Sequence, residues 1–184
     1  VRRESLGGAP ALDFEHADRD GFVLTLTLNR PRLRNAYSAA MRDALVEALR
    51  PLTAPGDCRP VLLTGMGPTF SCGGDLAEFG TVDDPASAHL IRSSANAGLW
   101  LDRLADRLTV RVHGPAVGAG TELAAFAGRL EATGSATFSL PEVSMGLIPG
   151  AGGTVSVPRR IGRQRTAQLC LPGTTIDAQT ALAW

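Results

Sequence analysis

Two glycine-rich turns with the same spacing constrain the fold of this chain more than any other feature. Residues 114–120 and 146–152 both read Gly-x-x-x-Gly-Ala-Gly. A β-favouring run precedes each turn, at 109–112 and at 136–140, and a helix-favouring run follows it. This order predicts an α/β fold that coils through units of strand, turn and helix instead of forming one flat sheet. Because 21 of the 184 residues are glycine, chance repetition remains the alternative explanation.

Hydrophobic periodicity predicts the elements around these turns. Alternation with a period of two indicates strands, and apolar residues that recur every three or four positions indicate amphipathic helices. Ser38 is available as the N-cap of the first helix. The predicted strands lie at 22–28, 61–64 and 108–113, and the predicted helical stretches lie at 37–52 and between 90 and 108.

Length and composition suit one globular domain over residues 1–184, with residues 1–12 expected to be flexible.

All 18 basic residues are arginine, which excludes Schiff-base lysines, a pyridoxal phosphate anchor and the lysine-containing phosphate loop. The formal net charge is zero, so no nucleic-acid partner is expected. The one dense basic run is predicted to be a solvated helix face and comprises Arg159, Arg160, Arg163 and Arg165.

Cysteine and histidine spacing gives no support to a metal site. Cys58, Cys72 and Cys170 form no Cys-x-x-Cys pair, and the histidines form no His-x-x-x-His. Sparse cysteines suit reduced thiols in the cytoplasm. We find no secretory signal and no apolar run long enough for a membrane span, so we expect a cytoplasmic protein that is neither exported nor membrane-bound.

Two turns could hold an anion. A glycine-rich turn that opens a helix leaves backbone N–H groups unpaired at the positive end of the helix dipole. The segments 70–76 and 118–123 have this character. If their N–H groups converge, they form an oxyanion hole, in which each donor contributes roughly 3–4 kcal/mol to binding a developing negative oxygen. Otherwise each segment is an ordinary helix start.

Two glutamates accompany these turns and are candidates for acid and base chemistry. Glu122 and Glu142 are the only charged residues in the stretches 114–128 and 132–158. Carboxyl groups in apolar surroundings often have perturbed pKa values, and a pair that shares one site can divide acid and base roles. The alternatives are a helix-start acid at Glu122 and a solvated turn residue at Glu142.

Three long motifs resemble the enoyl-CoA hydratase/isomerase (crotonase) superfamily, and the resemblance runs from about the first strand to Trp184. They are Phe-Ser-Cys-Gly-Gly-Asp-Leu at 70–76, His-Gly-Pro-Ala-Val-Gly-Ala-Gly-Thr-Glu-Leu at 113–123, and the segment 138–154. The resemblance implies a spiral of β-β-α units and an acyl-CoA thioester as the partner, with coenzyme A as part of the substrate and no separate cofactor. The family's C-terminal helices, which complete the acyl pocket and pack between subunits, are absent from this chain.

The resemblance also assigns roles to residues. It implies that Glu122 and Glu142 are catalytic and that the backbone N–H groups of Gly74 and Ala119 form the oxyanion hole. Asp75 is first expected to be an N-cap, and Cys72 is not expected to be a nucleophile. The residues that would bind substrate are Ala36, Cys72, Gly73, Asp75 and Leu76.

An enoyl-CoA hydratase of fatty acid metabolism is the function that the pair of acids favours, because many isomerases of the family keep only one of the two. The rival interpretations are a double-bond isomerase or another thioester enzyme of the family, and a non-catalytic binding member, including one that binds RNA. The resemblance implies a homotrimer or hexamer if the C-terminal helices are present.

Overall fold

The first fully described strand is buried on both faces. The computed structural model describes residues 23–184 and, before them, the strands at 3–4 and 12–16. Leu24, Leu26 and Leu28 point to one side of the strand, and Thr25 and Thr27 on the other side are also buried. The predicted strand 22–28 is therefore confirmed over 24–28, while position 22 lies outside the described residues.

Strands and helices alternate along the described part of the chain. The strands are Arg3–Glu4 (β1), Leu12–His16 (β2), Leu24–Leu28 (β3), Val61–Gly65 (β4), Leu108–Val112 (β5), Pro115–Val117 (β6), Arg129–Ala132 (β7), Thr137–Ser139 (β8) and Thr175–Asp177 (β9). The helices are Ala39–Leu52 (α1), Pro85–Ser94 (α2), Ala97–Arg103 (α3), Ala119–Ala124 (α4), Gly153–Ile161 (α5), Arg163–Cys170 (α6) and Ala178–Ala183 (α7). Short 3₁₀ turns occupy Pro31–Leu33, Leu76–Glu78, Ala105–Arg107 and Glu142–Met145.

The described strands form two sheets, and the chain crosses between them repeatedly. The larger sheet has the order β1-β2-β3-β4-β5-β7, and the smaller has the order β6-β8-β9. β5 lies in the larger sheet and β6 in the smaller, and after α4 the same crossing recurs from β7 to β8. The chain thus coils through β-β-α units, and the predicted α/β spiral is confirmed.

Helix α1 covers the larger sheet as its sequence predicts. Its apolar stripe buries Met41, Leu45 and Leu49 in the main core. The Ser38 hydroxyl accepts a hydrogen bond from the Met41 N–H at 3.2 Å and caps the helix.

Arg159, Arg163 and Arg165 lie on exposed surface of α5 and α6, as predicted. Arg160 departs from the prediction, because its guanidinium is partly buried and donates to the Ala125 and Ala127 carbonyls.

One expectation about local structure is wrong. The single helical stretch between 90 and 108 is divided into α2, α3 and a 3₁₀ turn. The division has a local cause, because the Asn96 side chain accepts from the Leu99 N–H and starts a new helix. Within the segment 1–12, Arg3–Glu4 pairs with β2, and the flexibility of this segment stays a prediction. The rest of that segment, apart from residue 12 in β2, lies outside the described residues.

None of the helices within the described residues is both long enough and apolar enough to cross a bilayer.

Gly114 joins the two sheets at a point where a side chain has no room. A Cβ placed on Gly114 would lie 2.2 Å from the backbone oxygen of Pro68, which cannot move aside as a flexible side chain can. Gly134 offers a matched comparison, because a Cβ there would have no neighbour within 4 Å.

We therefore expect Gly114→Ala to lower the free energy of unfolding by ~1–3 kcal/mol or more, because overpacking usually has an effect of this size. Gly134→Ala should leave it within about 0.5 kcal/mol of the parent value. Urea denaturation of the three proteins measures the difference. Equal stability of the two variants would contradict the close approach at Gly114.

Candidate active site

The peptide group between Gly73 and Gly74 has a fixed direction. The Tyr37 N–H donates to the Gly73 carbonyl at 2.7 Å, and the Asp75 N–H donates to the Tyr37 carbonyl at 3.1 Å. In a trans peptide the C=O and the N–H point in opposite directions. The bond to Tyr37 therefore turns the Gly74 N–H away from Tyr37, and within the described residues it donates no hydrogen bond.

A second free N–H group lies beside this segment. Ala119 is the first residue of α4, and the first N–H groups of a helix have no partner within it. Gly118 enters the helix with a φ of 49°, a conformation that favours glycine. A Cβ placed on Gly73 would lie 3.9 Å from the Ala119 nitrogen. The two predicted anion-binding turns are thus neighbours, although the first leads into a 3₁₀ turn and not an α-helix.

Glu122 lies one turn further along α4, and only 1% of its surface is exposed. Its Oε2 accepts hydrogen bonds from the N–H groups of Ala151 and Gly153, each at 2.7 Å. A Cβ placed on Gly153 would lie 2.4 Å from the Glu122 Cγ. Backbone N–H groups at the second glycine-rich turn therefore bind the carboxylate of Glu122, which lies on the helix that follows the first turn. The repeat itself did not predict this contact.

The environment of Glu122 favours its neutral form. Burial is the largest effect and raises the pKa of Glu122 from 4.5 to about 7. The Gly153 N–H opposes this shift because it stabilises the carboxylate, and the nearby charge of Glu142 adds to it. Glu122 is therefore not simply an acid at a helix start whose charge the helix dipole stabilises.

Glu142 begins the 3₁₀ turn after β8 and is also buried, with 8% of its surface exposed. A Cβ placed on Gly118 would lie 2.4 Å from the Glu142 Oε1. The carboxyl group thus lies against the backbone one residue before Ala119. Its Oε2 has no hydrogen-bond partner among the described residues, and burial raises the pKa of Glu142. The alternative of a solvated turn residue is wrong.

The five proposed substrate-binding residues lie at position 36 and in the segments 72–73 and 75–76, beside the backbone bridge between Tyr37 and Gly74. Gly73 has a φ of 95° and donates its N–H to the Ser71 hydroxyl. Ala36 is buried, and its carbonyl accepts from Arg30 at 2.8 Å. The remaining three are Cys72, Asp75 and Leu76.

Asp75 is an N-cap, as expected, because its carboxylate accepts from the Ala77 N–H at 3.3 Å. It also forms an ion pair with Arg30 at 2.9 Å. Leu76 is 67% exposed. Burial raises the pKa of the Cys72 thiol, which keeps it protonated and agrees with the expectation that it is no nucleophile.

Sequence reasoning overlooked several residues of this site. No role is predicted for Tyr37 or Arg30. Ala151 and Gly153 lie in the motif segment 138–154, but no role is predicted for their N–H groups. Burial raises the pKa of the Cys170 thiol, and the charges of Glu142 and Glu122 add to this shift. The Asn-Arg-Pro run at 29–31, directly after β3, is the local signal that could have directed attention to Arg30.

No group of three or more His, Cys, Asp or Glu side chains that could hold a metal ion occurs within the described residues.

Comparison with known proteins identifies relatives across most of the chain. The family model described as enoyl-CoA hydratase/isomerase matches residues 18–184. The chain is 37% identical over 161 residues to the 2,3-dehydroadipyl-CoA hydratase of Escherichia coli K12, covering 86% of this chain and 62% of the relative. It is 34% identical over 173 residues to the 1,2-epoxyphenylacetyl-CoA isomerase of the same organism, covering 88% and 63%.

Solved structures show the same fold. The Mycobacterium smegmatis enoyl-CoA hydratase gives a TM-score of 0.84 at 32% identity, covering 95% of this chain and 67% of that one. A Thermobifida fusca structure in complex with acetoacetyl-CoA gives 0.83 at 33% identity, covering 95% and 71%.

The chain spans only about three fifths of the length of the curated relatives it matches, for example 62% of the E. coli hydratase. The family match nevertheless includes both glycine-rich turns and both buried glutamates. By sequence and by fold, the chain belongs to the enoyl-CoA hydratase/isomerase family.

Proposed function

We propose that this chain carries the active site of an enoyl-CoA hydratase, which adds water across the 2,3 double bond of a trans-2-enoyl-CoA. One observation carries the proposal: Glu122 is buried on the helix that Ala119 begins, and the buried carboxyl group of Glu142 lies against Gly118, beside the free N–H groups of Ala119 and Gly74. A T. fusca relative has been solved with acetoacetyl-CoA, which supports a coenzyme A thioester as the substrate.

The two N–H groups would receive the thioester oxygen. Addition of water at C3 moves electron density through C2 onto this oxygen, so the transition state resembles an enolate. Donors fixed by the fold before the reaction stabilise that charge, each by roughly 3–4 kcal/mol. Backbone donors make the alanine at position 119 as suitable as the commoner glycine.

The two carboxyl groups would move the protons. Glu122, whose pKa of about 7 leaves part of it ionised near neutral pH, takes a proton from water as the water oxygen bonds to C3. Glu142, in its protonated form, gives its proton to C2, which balances the addition. The raised pKa of Glu142 suits a group that must carry a proton. Because the acids interact, they titrate as a coupled pair.

A double-bond isomerase is the second candidate. It is favoured by the matching family model, whose description names both enoyl-CoA hydratase and isomerase, and it would use the same oxyanion hole. Moving a double bond needs one group to shuttle a proton, whereas hydration also needs a group to activate water. Assays with 2-enoyl and 3-enoyl thioesters distinguish the two activities.

We expect Glu122→Gln and Glu142→Gln each to lower the rate of crotonyl-CoA hydration by about 10²–10⁴-fold, the usual contribution of a positioned acid or base. Glutamine keeps the size and the hydrogen-bonding carbonyl but cannot exchange a proton. Loss of the absorbance of the conjugated thioester measures the rate.

Glu47→Gln is the matched control, because Glu47 is exposed on α1, and it should retain the parent rate. Full activity in either active-site variant would exclude the roles assigned above. Loss of hydration with retained isomerisation in one variant would favour the isomerase.

Burial of Glu122 has a consequence for stability. Its pKa rises from 4.5 to about 7 on folding, so the folded protein holds this proton over a pH range in which the unfolded chain has released it. The resulting stabilisation is complete below about pH 4.5 and is lost as the pH rises through about 7. A shift of this size corresponds to about 3 kcal/mol.

We expect Glu122→Gln to be more stable than the parent protein at about pH 8, by up to ~3 kcal/mol, and equally stable near pH 4. Its carbonyl can still accept from Ala151 and Gly153. Urea denaturation at the two pH values measures the difference, with Glu47→Gln as the control. Equal stability of variant and parent at both pH values would show that Glu122 ionises as an exposed acid does.

A further inference from the structure

We propose that Arg30 is a positioning residue that directs and polarises the Gly74 N–H through a relay of two peptide groups. This inference rests on the proposed function, in which the Gly74 N–H binds the thioester oxygen. Arg30 itself touches no reacting atom.

The relay begins at the guanidinium of Arg30. Its Nη1 donates to the Ala36 carbonyl at 2.8 Å. The Tyr37 N–H, which belongs to the same peptide group, donates to the Gly73 carbonyl at 2.7 Å. The Gly74 N–H, in turn, shares a peptide group with the Gly73 carbonyl. Two trans peptides therefore connect the cation with the free N–H group, each accepting on its carbonyl side and donating on its N–H side.

Such a chain of hydrogen bonds strengthens its last donor. A carbonyl that accepts a bond polarises its own peptide group, and the N–H on the other side becomes a better donor. A charged donor at the start gives the largest effect, since charge-assisted bonds are stronger than neutral ones. The Gly74 N–H is the end of the chain and lies beside Ala119.

Asp75 holds the guanidinium of Arg30, the first donor of the relay, in place. The same Nη1 of Arg30 pairs with the Asp75 Oδ2 at 2.9 Å. Ala36 and Asp75 flank the bridged residues Tyr37 and Gly74, so the guanidinium ties the two segments together at this bridge. The side chains of Arg30 and Asp75 are 23% and 16% exposed, which shields the pair from much of the solvent.

Asn35 holds the backbone of Arg30 in place. The Arg30 N–H donates to the Asn35 Oδ1 at 2.9 Å, and the Asn35 N–H donates to the Arg30 carbonyl at 2.9 Å. The Asn35 Nδ2 binds the carbonyls of Thr69 and Phe70 at 2.8 and 3.1 Å. Asn35 is fully buried. The backbone of Arg30 is therefore fixed to the segment 69–70, which leads into Gly73 and Gly74.

The test compares Arg30→Gln with Arg30→Lys and with Arg42→Gln. Gln removes the charge, whereas Lys keeps a cation that can reach the Ala36 carbonyl. Arg42 is a matched control, because it pairs with its exposed neighbour Asp43 on α1. The probe is a chromophoric cinnamoyl-CoA ester, whose absorbance moves to longer wavelength when donors polarise its thioester carbonyl. The shift at saturation is measured beside kcat and KM for crotonyl-CoA.

We expect Arg30→Gln to lose a large part of the absorbance shift and to lower kcat about tenfold, with a smaller change in KM. Arg30→Lys should recover most of both, and Arg42→Gln should equal the parent. A purely structural role would reduce the folded fraction and leave the shift per bound ester unchanged. That result, or a full shift in Arg30→Gln, would overturn the proposal.

Asp75→Asn keeps the test decisive if Arg30→Gln does not fold. It removes the ion pair and leaves the bond from Arg30 to the Ala36 carbonyl. The shift per bound ester should therefore be largely retained even where KM rises, because Asp75 is also a proposed substrate-binding residue. Complete loss of the shift in Asp75→Asn would contradict a relay through Ala36. If the parent protein shifts the ester absorbance but does not hydrate crotonyl-CoA, the proposed function fails while the relay remains.

Discussion

The close packing of two carboxyl groups on glycine backbone is the constraint on which the rest of the site depends. Glu142 lies against Gly118, and Glu122 lies against Gly153, at distances that leave no space for a Cβ. Each acid is buried by backbone and not by a cation, so each favours its neutral form. A side chain at either glycine would displace the acid and the N–H groups beside it.

The crossing of the chain between its two sheets brings these parts together. The turns that follow β6 and β8 carry Ala119 and Glu142, and these strands are parallel neighbours in the smaller sheet. Ser71 forms a parallel bridge to Ala116 of β6, which places Gly73 and Gly74 at the same end. Hydrogen bonds from Thr121 to the Ala116 and Ser139 carbonyls fasten α4 to both strands. These pairings therefore bring both turns and the segment 73–74 to the same end of the smaller sheet.

The features that could be predicted from the sequence are those that local sequence signals determine. The strand at β3, the helix α1 with its Ser38 cap and the two glycine turns follow from periodicity and capping. The sequence did not predict the boundary between α2 and α3, although Asn96 was a local signal for it. The contacts of Glu122 with Ala151 and of Arg30 with Ala36 and Asp75 could not be predicted, because they join segments whose approach only the folded chain defines.

A crystal structure of this protein with acetoacetyl-CoA bound would show whether the two N–H groups and the two carboxyl groups serve one substrate. We expect the thioester oxygen to lie about 3 Å from both the Gly74 and the Ala119 nitrogen atoms. We also expect the acyl carbons next to the thioester to lie between the carboxyl groups of Glu122 and Glu142. A thioester oxygen bound away from these two nitrogens, or acyl carbons out of reach of both carboxyl groups, would contradict this arrangement.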